Sequence, residues 1–103
     1  MTNPVKESDI QRDIKTYLQY KGWFVVKIHQ SMGSYKGIAD LSCTKDGRHV
    51  WVEVKAPRGK QSLEQAKFGC AVLAHGGEYI VAKSVDDVER YLAETKLSKP
   101  DKS

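Results

Sequence analysis

The chain has 103 residues, 40% of them hydrophobic and 29% charged, which suits a soluble globular protein with a single domain over residues 1–103. We expect its core to run from about residue 7 to residue 95, with flexible ends. The net charge of +4 at pH 7 and the pI near 9.1 suit a polyanionic partner. We expect neither a membrane span nor a secretory signal. Cys43 and Cys70 lack metal-binding spacing, so we expect free thiols in a reducing, cytoplasmic compartment rather than a zinc site.

The first predicted element is a helix from about Glu7 to Lys21, which Gly22 ends. Its apolar residues recur at helical spacing, at Ile10, Ile14, Tyr17 and Leu18. Glu7 and Gln11 lie in line with that stripe, at its N-terminal end. Glu7 therefore has two interpretations: an acid that complements the helix dipole, or a third carboxylate of a metal site.

A strand is predicted next, over Trp23 to His29, and its nearly continuous apolar character predicts a central strand that is buried on both faces. The polar loop from Gln30 to Lys36 follows it. Three residues of this loop have side chains that suit a phosphate backbone, namely Ser34, Tyr35 and Lys36. A plain connector is the alternative interpretation of the same loop.

The centre of the sequence predicts a β-hairpin with arms Ile38–Thr44 and His49–Lys55. If Asp46-Gly47 forms a two-residue loop, Asp40 lies directly across from Glu53. A three-residue loop, Lys45–Gly47, would slip the register by one residue. The apolar pattern favours the first register, because only that register places two alternating sets on one face. These sets are Ala39, Leu41 and Cys43 on one arm and Val50, Val52 and Val54 on the other.

The opposite face of this hairpin then carries Asp40, Glu53 and Lys55. Two carboxylates directly across a ladder have Cβ atoms roughly 5 Å apart, and like charges at that distance are destabilising. A divalent cation between them would reverse the sign of that interaction, and hard oxygen ligands suit Mg²⁺ or Mn²⁺. Lys55 could steady an attacking water or a phosphate. A solvated hairpin face is the alternative.

A basic turn, Ala56 to Lys60, follows the hairpin, and its Arg58 and Lys60 suit phosphate contacts as well as a solvated loop. Ser62 then begins a helix with a capping box to Gln65. Gln65 could serve only as the partner in this box; because it is expected to face the functional end of the hairpin, it could also touch substrate or a metal-bound water. The inner stripe of this helix is predicted at Leu63, Ala66, Cys70 and Leu73, flanked by Phe68 and Val72.

The last elements are a strand over Glu78 to Ala82 and a helix from Ser84 to about Thr95, with Val85, Val88 and Leu92 inward. The order is αβββαβα. The hairpin pairs antiparallel, and the crossover to the last strand favours a parallel pair. The predicted fold class is α/β, a small mixed sheet flanked by helices.

These residues resemble the PD-(D/E)xK nuclease superfamily. The resemblance rests on Gly37-Ile38-Ala39-Asp40, then Glu53-Val54-Lys55, then Gln65, in the predicted order of elements. Glu7, Gln11 and the small size make the chain most similar to the VRR-NUC branch, over about Glu7 to Leu92. It departs from the family pattern at Ala39, where a proline usually precedes the aspartate. Such a proline would stiffen the approach but bind nothing.

The resemblance implies a restriction-endonuclease-like core and a Mg²⁺ or Mn²⁺ site formed by Glu7, Asp40, Glu53 and the backbone carbonyl of Val54. It implies catalytic roles for Asp40, Glu53, Lys55 and Gln65, in which Lys55 activates water and Gln65 supports the site. No small-molecule cofactor is expected.

The implied function is a metal-dependent, structure-selective DNA endonuclease that acts as a homodimer on branched DNA, including Holliday junctions. Two symmetric cuts need two sites related by a two-fold axis. Alternatives are a flap or duplex nickase, a restriction-like cutter, a non-catalytic DNA-binding module of the same fold, and an unrelated regulatory domain.

Overall fold

The structure is a computed structural model that describes residues 5–29 and 35–98. Within these ranges the elements are α1 (Glu7–Tyr20), β1 (Phe24–Lys27), β2 (Leu41–Lys45), β3 (Arg48–Val54), α2 (Leu63–Ala74), β4 (Glu78–Ala82) and α3 (Val85–Ser98). The strands form one sheet in the order β1-β2-β3-β4. β1, β2 and β3 pair antiparallel, whereas β3 and β4 pair parallel across the α2 crossover. The predicted αβββαβα order and mixed sheet are confirmed.

The hairpin has the register that the apolar pattern predicts. Lys45 pairs with Arg48, and Leu41 pairs with Val52. Asp46 and Gly47 have φ angles of 50° and 80°, as a two-residue turn with two left-handed positions requires. Continued by one pair, this register brings Asp40 opposite Glu53. Asp40 itself lies in a bend just before β2, where its carbonyl accepts a 2.7 Å hydrogen bond from the Ile28 amide.

One face of the sheet forms the core with α1 and α3. All six apolar hairpin residues that were predicted to share a face are buried: Ala39, Leu41, Cys43, Val50, Val52 and Val54. The stripe of α1 contributes Ile10, Ile14 and Leu18, and α3 contributes Val88. The acids of the hairpin therefore lie on the other face of the sheet, which α2 covers in part.

The prediction that the first strand is central was wrong. Within the described ranges β1 pairs with β2 alone and forms an edge of the sheet, and Val25 is its one buried residue. Phe24 is 69% exposed and Val26 is 37% exposed. A continuous apolar run looks the same for a strand buried on both faces and for an edge strand with one uncovered apolar face, so the run could not distinguish these cases.

The predicted inner stripe of α2 was also wrong. Leu63 and Leu73 are 65% and 56% exposed, and Cys70 is exposed, while Gly69 is the buried residue of this helix. Apolar side chains occur all round α2, so their spacing did not define one face. The face towards the sheet instead carries Gln65, Phe68 and Gly69.

Among the described residues, no helix combines the length and the apolar character that a membrane crossing requires.

Candidate active site

Asp40 and Glu53 lie together at the end of the hairpin that is distant from its turn. The Val54 amide donates a 2.7 Å hydrogen bond to Oδ2 of Asp40, which fixes this carboxylate against β3. The Glu53 side chain is close enough for both the charge and a hydrogen bond of Asp40 to affect its pKa. The register therefore places two carboxylates side by side on the sheet face that the sequence indicated.

Burial has the largest effect on the pKa of Glu53. It is 1% exposed, and burial together with the Asp40 carboxylate raises its pKa to about 8, against a smaller opposing effect of the Lys55 ammonium. Oε1 of Glu53 has no hydrogen-bond partner among the described residues. Two ionised carboxylates cannot hydrogen-bond to each other, so the pair needs either a shared proton or a cation.

Lys55 extends along the same face as the acids. Its Nζ lies 3.7 Å from Oε2 of Glu53, and its side chain is 13% exposed. Its backbone amide donates to the Ala82 carbonyl at 3.0 Å, which continues the β3–β4 pairing by one residue. The ammonium group is therefore held beside the carboxylates but still reaches solvent, where a phosphate or a water can approach it.

Gln65 connects the start of α2 to the acid pair. Its Oε1 accepts a 2.8 Å hydrogen bond from the Ser62 amide, and its own amide donates to Ser62 Oγ at 3.1 Å, so the predicted capping box is confirmed. Its Nε2 donates to Oε2 of Glu53 at 2.9 Å. The glutamine therefore caps the helix and holds one oxygen of Glu53, leaving the other oxygen unpaired.

Gly37 allows the segment before Asp40 to pack directly on α2. A Cβ atom at this position would lie 2.3 Å from the carbonyl carbon and oxygen of Glu64 and 2.7 Å from the Gln65 amide nitrogen. The φ angle of Gly37 is also positive, at 78°. Only glycine fits both constraints without displacing backbone.

Glu7 is exposed at the first turn of α1. Its charge is the smallest of the contributions that raise the pKa of Glu53, so it faces the site from a distance. In residues 5–29 and 35–98, no three His, Cys, Asp or Glu side chains are close enough together to form a metal-binding group. The geometry thus brings together two of the three predicted carboxylates, and the third would need movement of α1 or a bridging water.

The oxygen atoms that are present nevertheless suit a hard divalent cation. The orphaned Oε1 of Glu53 lies in a buried position beside a carboxylate that is itself fixed by a backbone amide. Mg²⁺ and Mn²⁺ commonly use one or two protein carboxylates and complete their shells with water and substrate phosphate. The residues therefore fit such an ion, and the Lys55 ammonium group lies beside them, 3.7 Å from Oε2 of Glu53.

The predicted DNA-contact residues belong to the segments that precede Asp40 and follow Lys55 in the sequence. Tyr35 and Lys36 are exposed, and Lys36 lines a cavity of about 360 Å³ together with Asp40 and Gln65. Arg58 and Lys60 are exposed on the turn after β3. The prediction for Ser34 falls outside the described residues.

The sequence did not identify three residues that contact one another near the backbone of Gln65, namely Gln61, Gly69 and Tyr79. The Tyr79 ring on β4 packs against Gly69, and its hydroxyl accepts a 2.8 Å hydrogen bond from Gln61 Nε2. In the sequence, Tyr79 is one of several apolar residues of a short strand. Only the parallel pairing of β4 with β3 brings it under α2, so no local signal could have identified it.

The chain is similar to known proteins both in sequence and in fold. The family model described as archaeal Holliday junction resolvase (hjc) matches residues 2–102. A solved structure described as a VRR_NUC domain superposes with a TM-score of 0.74 at 24% sequence identity, covering 84% of this chain and 94% of that one. No curated protein matches the sequence.

Proposed function

Because the chain belongs to the archaeal Holliday junction resolvase family and is a structure-selective DNA endonuclease, we propose that it hydrolyses phosphodiester bonds of branched DNA in a Mg²⁺- or Mn²⁺-dependent reaction at Asp40 and Glu53. The observation that carries the proposal is the acid pair, in which buried Glu53 has an unpaired oxygen next to Asp40. A cation between the two carboxylates would satisfy this oxygen and offset the repulsion between the ionised acids.

In this proposal Asp40, Glu53 and the Val54 carbonyl hold the cation, and Glu7 contributes through water. When bound, the cation supplies Lewis-acid activation of the phosphate and lowers the pKa of a bound water. Glu53 must lose its proton before it can act as a ligand. The backbone amide of Val54 keeps the Asp40 carboxylate oriented, and the side-chain amide of Gln65 keeps the Glu53 carboxylate oriented.

Lys55 positions the attacking water and stabilises the charge that develops on the phosphate. Support comes from its ammonium group, which lies 3.7 Å from Oε2 of Glu53. Tyr35, Lys36, Arg58, Lys60 and the undescribed Ser34 are proposed to contact the DNA backbone near the acid pair. Positive side chains there would neutralise phosphates without reading sequence.

The proposal is tested by incubating the protein with labelled four-way junction, flap, duplex and single-stranded DNA, in Mg²⁺, Mn²⁺ or EDTA. We expect cutting of branched DNA in either metal, none in EDTA, and losses of at least about 100-fold in Asp40→Ala and Lys55→Ala. Glu94→Gln, at an exposed position of α3, is the control and should cut normally.

Cutting that persists in EDTA, or that is unchanged in Asp40→Ala, would contradict the proposed chemistry. Preferential cutting of flaps or duplex ends would favour the nickase alternative. Tight binding of branched DNA without cutting in either metal would favour a non-catalytic binding module.

We also propose that the enzyme acts as a homodimer in a reducing, intracellular compartment. Resolution of a four-way junction needs two opposed cuts, which two sites related by a two-fold axis can make. Light scattering after size exclusion should give twice the 11.6 kDa chain mass for the free protein, and the same mass for the protein component of its complex with junction DNA. A monomer on the junction would contradict this part of the proposal. Both cysteines are free thiols, in keeping with reducing conditions.

A further inference from the structure

Tyr79 and Gly69 set the distance between α2 and the sheet behind the acid pair. A Cβ atom at position 69 would lie 2.5 Å from Cε1 of Tyr79 and 2.7 Å from its Cδ1. Real Cβ atoms do not approach an aromatic ring this closely, so any larger residue at position 69 would force the ring or the helix to move. Gly69 is also the one buried residue of α2. The helix therefore rests on the Tyr79 ring.

The Tyr79 hydroxyl then meets the polar start of the helix. Gln61 Nε2 donates to this hydroxyl at 2.8 Å, and the hydroxyl points at the Gln65 carbonyl at 3.5 Å. Burial raises the pKa of Tyr79 to about 12, and the nearby charges of Glu53 and Asp40 act in the same direction. The hydroxyl thus keeps its proton at neutral pH and remains a donor towards Gln65.

A chain of contacts leads from Tyr79 to the acid pair. The backbone of Gln65 faces the Tyr79 hydroxyl, while its side chain donates to Glu53 Oε2 at 2.9 Å. Gln65 therefore fixes the orientation of a carboxyl group that interacts with Asp40 and whose other oxygen, Oε1, has no hydrogen-bond partner among the described residues. A small shift of the first turn of α2 would therefore change the separation of the two carboxylate oxygens.

We propose that Tyr79 is a positioning residue for the metal-binding carboxylate, acting through Gln65, with Gly69 as the position that lets its ring support α2. This inference rests on the proposed metal-dependent function and adds residues that touch neither the DNA nor the ion. It assigns to Tyr79 a role in cation affinity, because the ion depends on the relative placement of Asp40 and Glu53.

The test uses Tyr79→Phe, which keeps the ring and removes the hydroxyl. Tyr91→Phe is the matched control, because the Tyr91 hydroxyl is also half-buried and donates to Glu78 at 2.6 Å. Isothermal titration of each protein with Mn²⁺ alone gives the affinity without any DNA. We expect the dissociation constant to rise roughly fivefold in Tyr79→Phe, the value for loss of one neutral hydrogen bond, and to stay unchanged in Tyr91→Phe.

Cleavage kinetics supply a second readout. In Tyr79→Phe the Mg²⁺ concentration for half-maximal cutting should rise by a similar factor, while the affinity for junction DNA in EDTA stays that of the unaltered protein. Equal Mn²⁺ affinity in Tyr79→Phe and the unaltered protein would overturn the inference. An equal loss of Mn²⁺ affinity in both tyrosine variants would also overturn it, since that result would reflect a general loss of stability.

A second pair of variants separates an effect on Mn²⁺ affinity from an effect on the stability of the fold. Gly69→Ala should lower both the melting temperature and the Mn²⁺ affinity, because its Cβ displaces the ring. Gly69→Ala combined with Tyr79→Leu relieves the overlap, so we expect the melting temperature to recover and the Mn²⁺ affinity not to. Recovery of both would overturn the role of the tyrosine. If the unaltered protein binds Mn²⁺ but cuts no DNA, the proposed function fails while this inference is still decided by the titrations.

Discussion

Glu53 shows at the scale of one residue how the protein gives up stability for a site. A carboxyl group that is 1% exposed and lacks a partner for one oxygen is costly when ionised. The pKa of Glu53 is about 8 in the folded protein, whereas the ordinary value for a glutamate in an unfolded chain is 4.5. The folded protein therefore binds the proton of Glu53 far more tightly than the unfolded chain does. The resulting stabilisation is fully present below pH 4.5 and is lost as the pH rises through about 8.

Glu53→Gln should therefore stabilise the metal-free protein at alkaline pH and abolish metal-dependent cutting. At pH 4, below the pKa of Glu53 in both the folded and the unfolded protein, the side chain is mostly neutral in both states, so the two proteins should melt at similar temperatures. At pH 9 in EDTA the variant should be more stable by about 1–3 kcal/mol, since an amide keeps the bond to Gln65 without a buried charge. Circular-dichroism melts at both pH values measure this. Glu94→Gln, at an exposed site, should show no such pH-dependent gain.

Proton and cation compete for the same carboxylate, which predicts a linked pH dependence of cutting. At sub-saturating Mg²⁺ the initial rate on junction DNA should rise as the pH increases through about 8, because Glu53 must ionise. Saturating Mg²⁺ should move the midpoint of this rise to lower pH. Initial rates at several Mg²⁺ concentrations across pH 6–9 measure the shift. A midpoint that does not depend on Mg²⁺ would assign the titration to another group.

At the scale of elements, the position of α2 on the sheet decides whether the acids form a site. The segment before β2 meets the start of α2 at Gly37, and the middle of α2 meets β4 at Gly69. Rings of Tyr35, Trp51 and Tyr79 pack around Phe68 at centroid distances of 5.8, 5.2 and 5.9 Å. These contacts join the loop proposed to touch DNA to the helix that orients Glu53.

Gly37→Ala should be far more damaging than Gly47→Ala, although both glycines have positive φ angles. A Cβ at Gly47 meets nothing within 4 Å, so that variant loses only about 1 kcal/mol from its left-handed backbone. A Cβ at Gly37 overlaps the Glu64 backbone, and we expect a loss of at least about 3 kcal/mol. Urea unfolding of both variants measures the difference. Similar losses would show that the loop and α2 separate easily.

At the scale of the molecule, exposed cations occur on the segments that adjoin the acid pair. The net charge is +4, Lys36 lines the cavity that Asp40 also lines, and Arg58 and Lys60 are exposed on the turn that follows Lys55. The helices α1 and α3 cover the opposite face of the sheet, which forms the core. A polyanion is therefore expected to approach the α2 face, where its phosphates meet cations before they reach Asp40 and Glu53.

Neutralising Arg58 and Lys60 together should weaken junction binding and reduce its salt dependence. The slope of log K against log salt should fall in magnitude by about 2 in Arg58→Gln with Lys60→Gln, since two phosphate contacts are lost. The control removes one arginine and one lysine from the α1–α3 side, by Arg90→Gln with Lys21→Gln, and should leave the slope unchanged. Fluorescence anisotropy in EDTA at several salt concentrations measures both. Equal slopes in the two double variants would place the DNA elsewhere.

Local chemistry allowed the sequence to predict the hairpin, its register, the capping box at Ser62 and the adjacency of Asp40 and Glu53. Each of these depends on residues that are near in sequence: a turn that needs two left-handed positions, a period-two apolar pattern, and a helix start that needs acceptors. The same reasoning failed for β1 and for the inner face of α2, where apolar residues occur on more than one side.

Only the tertiary structure decided how far Glu53 is buried, which oxygen Gln65 holds, and that Tyr79 supports this contact. These features arise where β4 pairs parallel with β3 and carries α2 across the sheet, so they join residues at least 12 positions apart. Burial of a charge is a property of everything packed around it, and no short stretch of sequence contains that information. The composition of the site could therefore be predicted from the sequence, whereas its electrostatics required the packed fold.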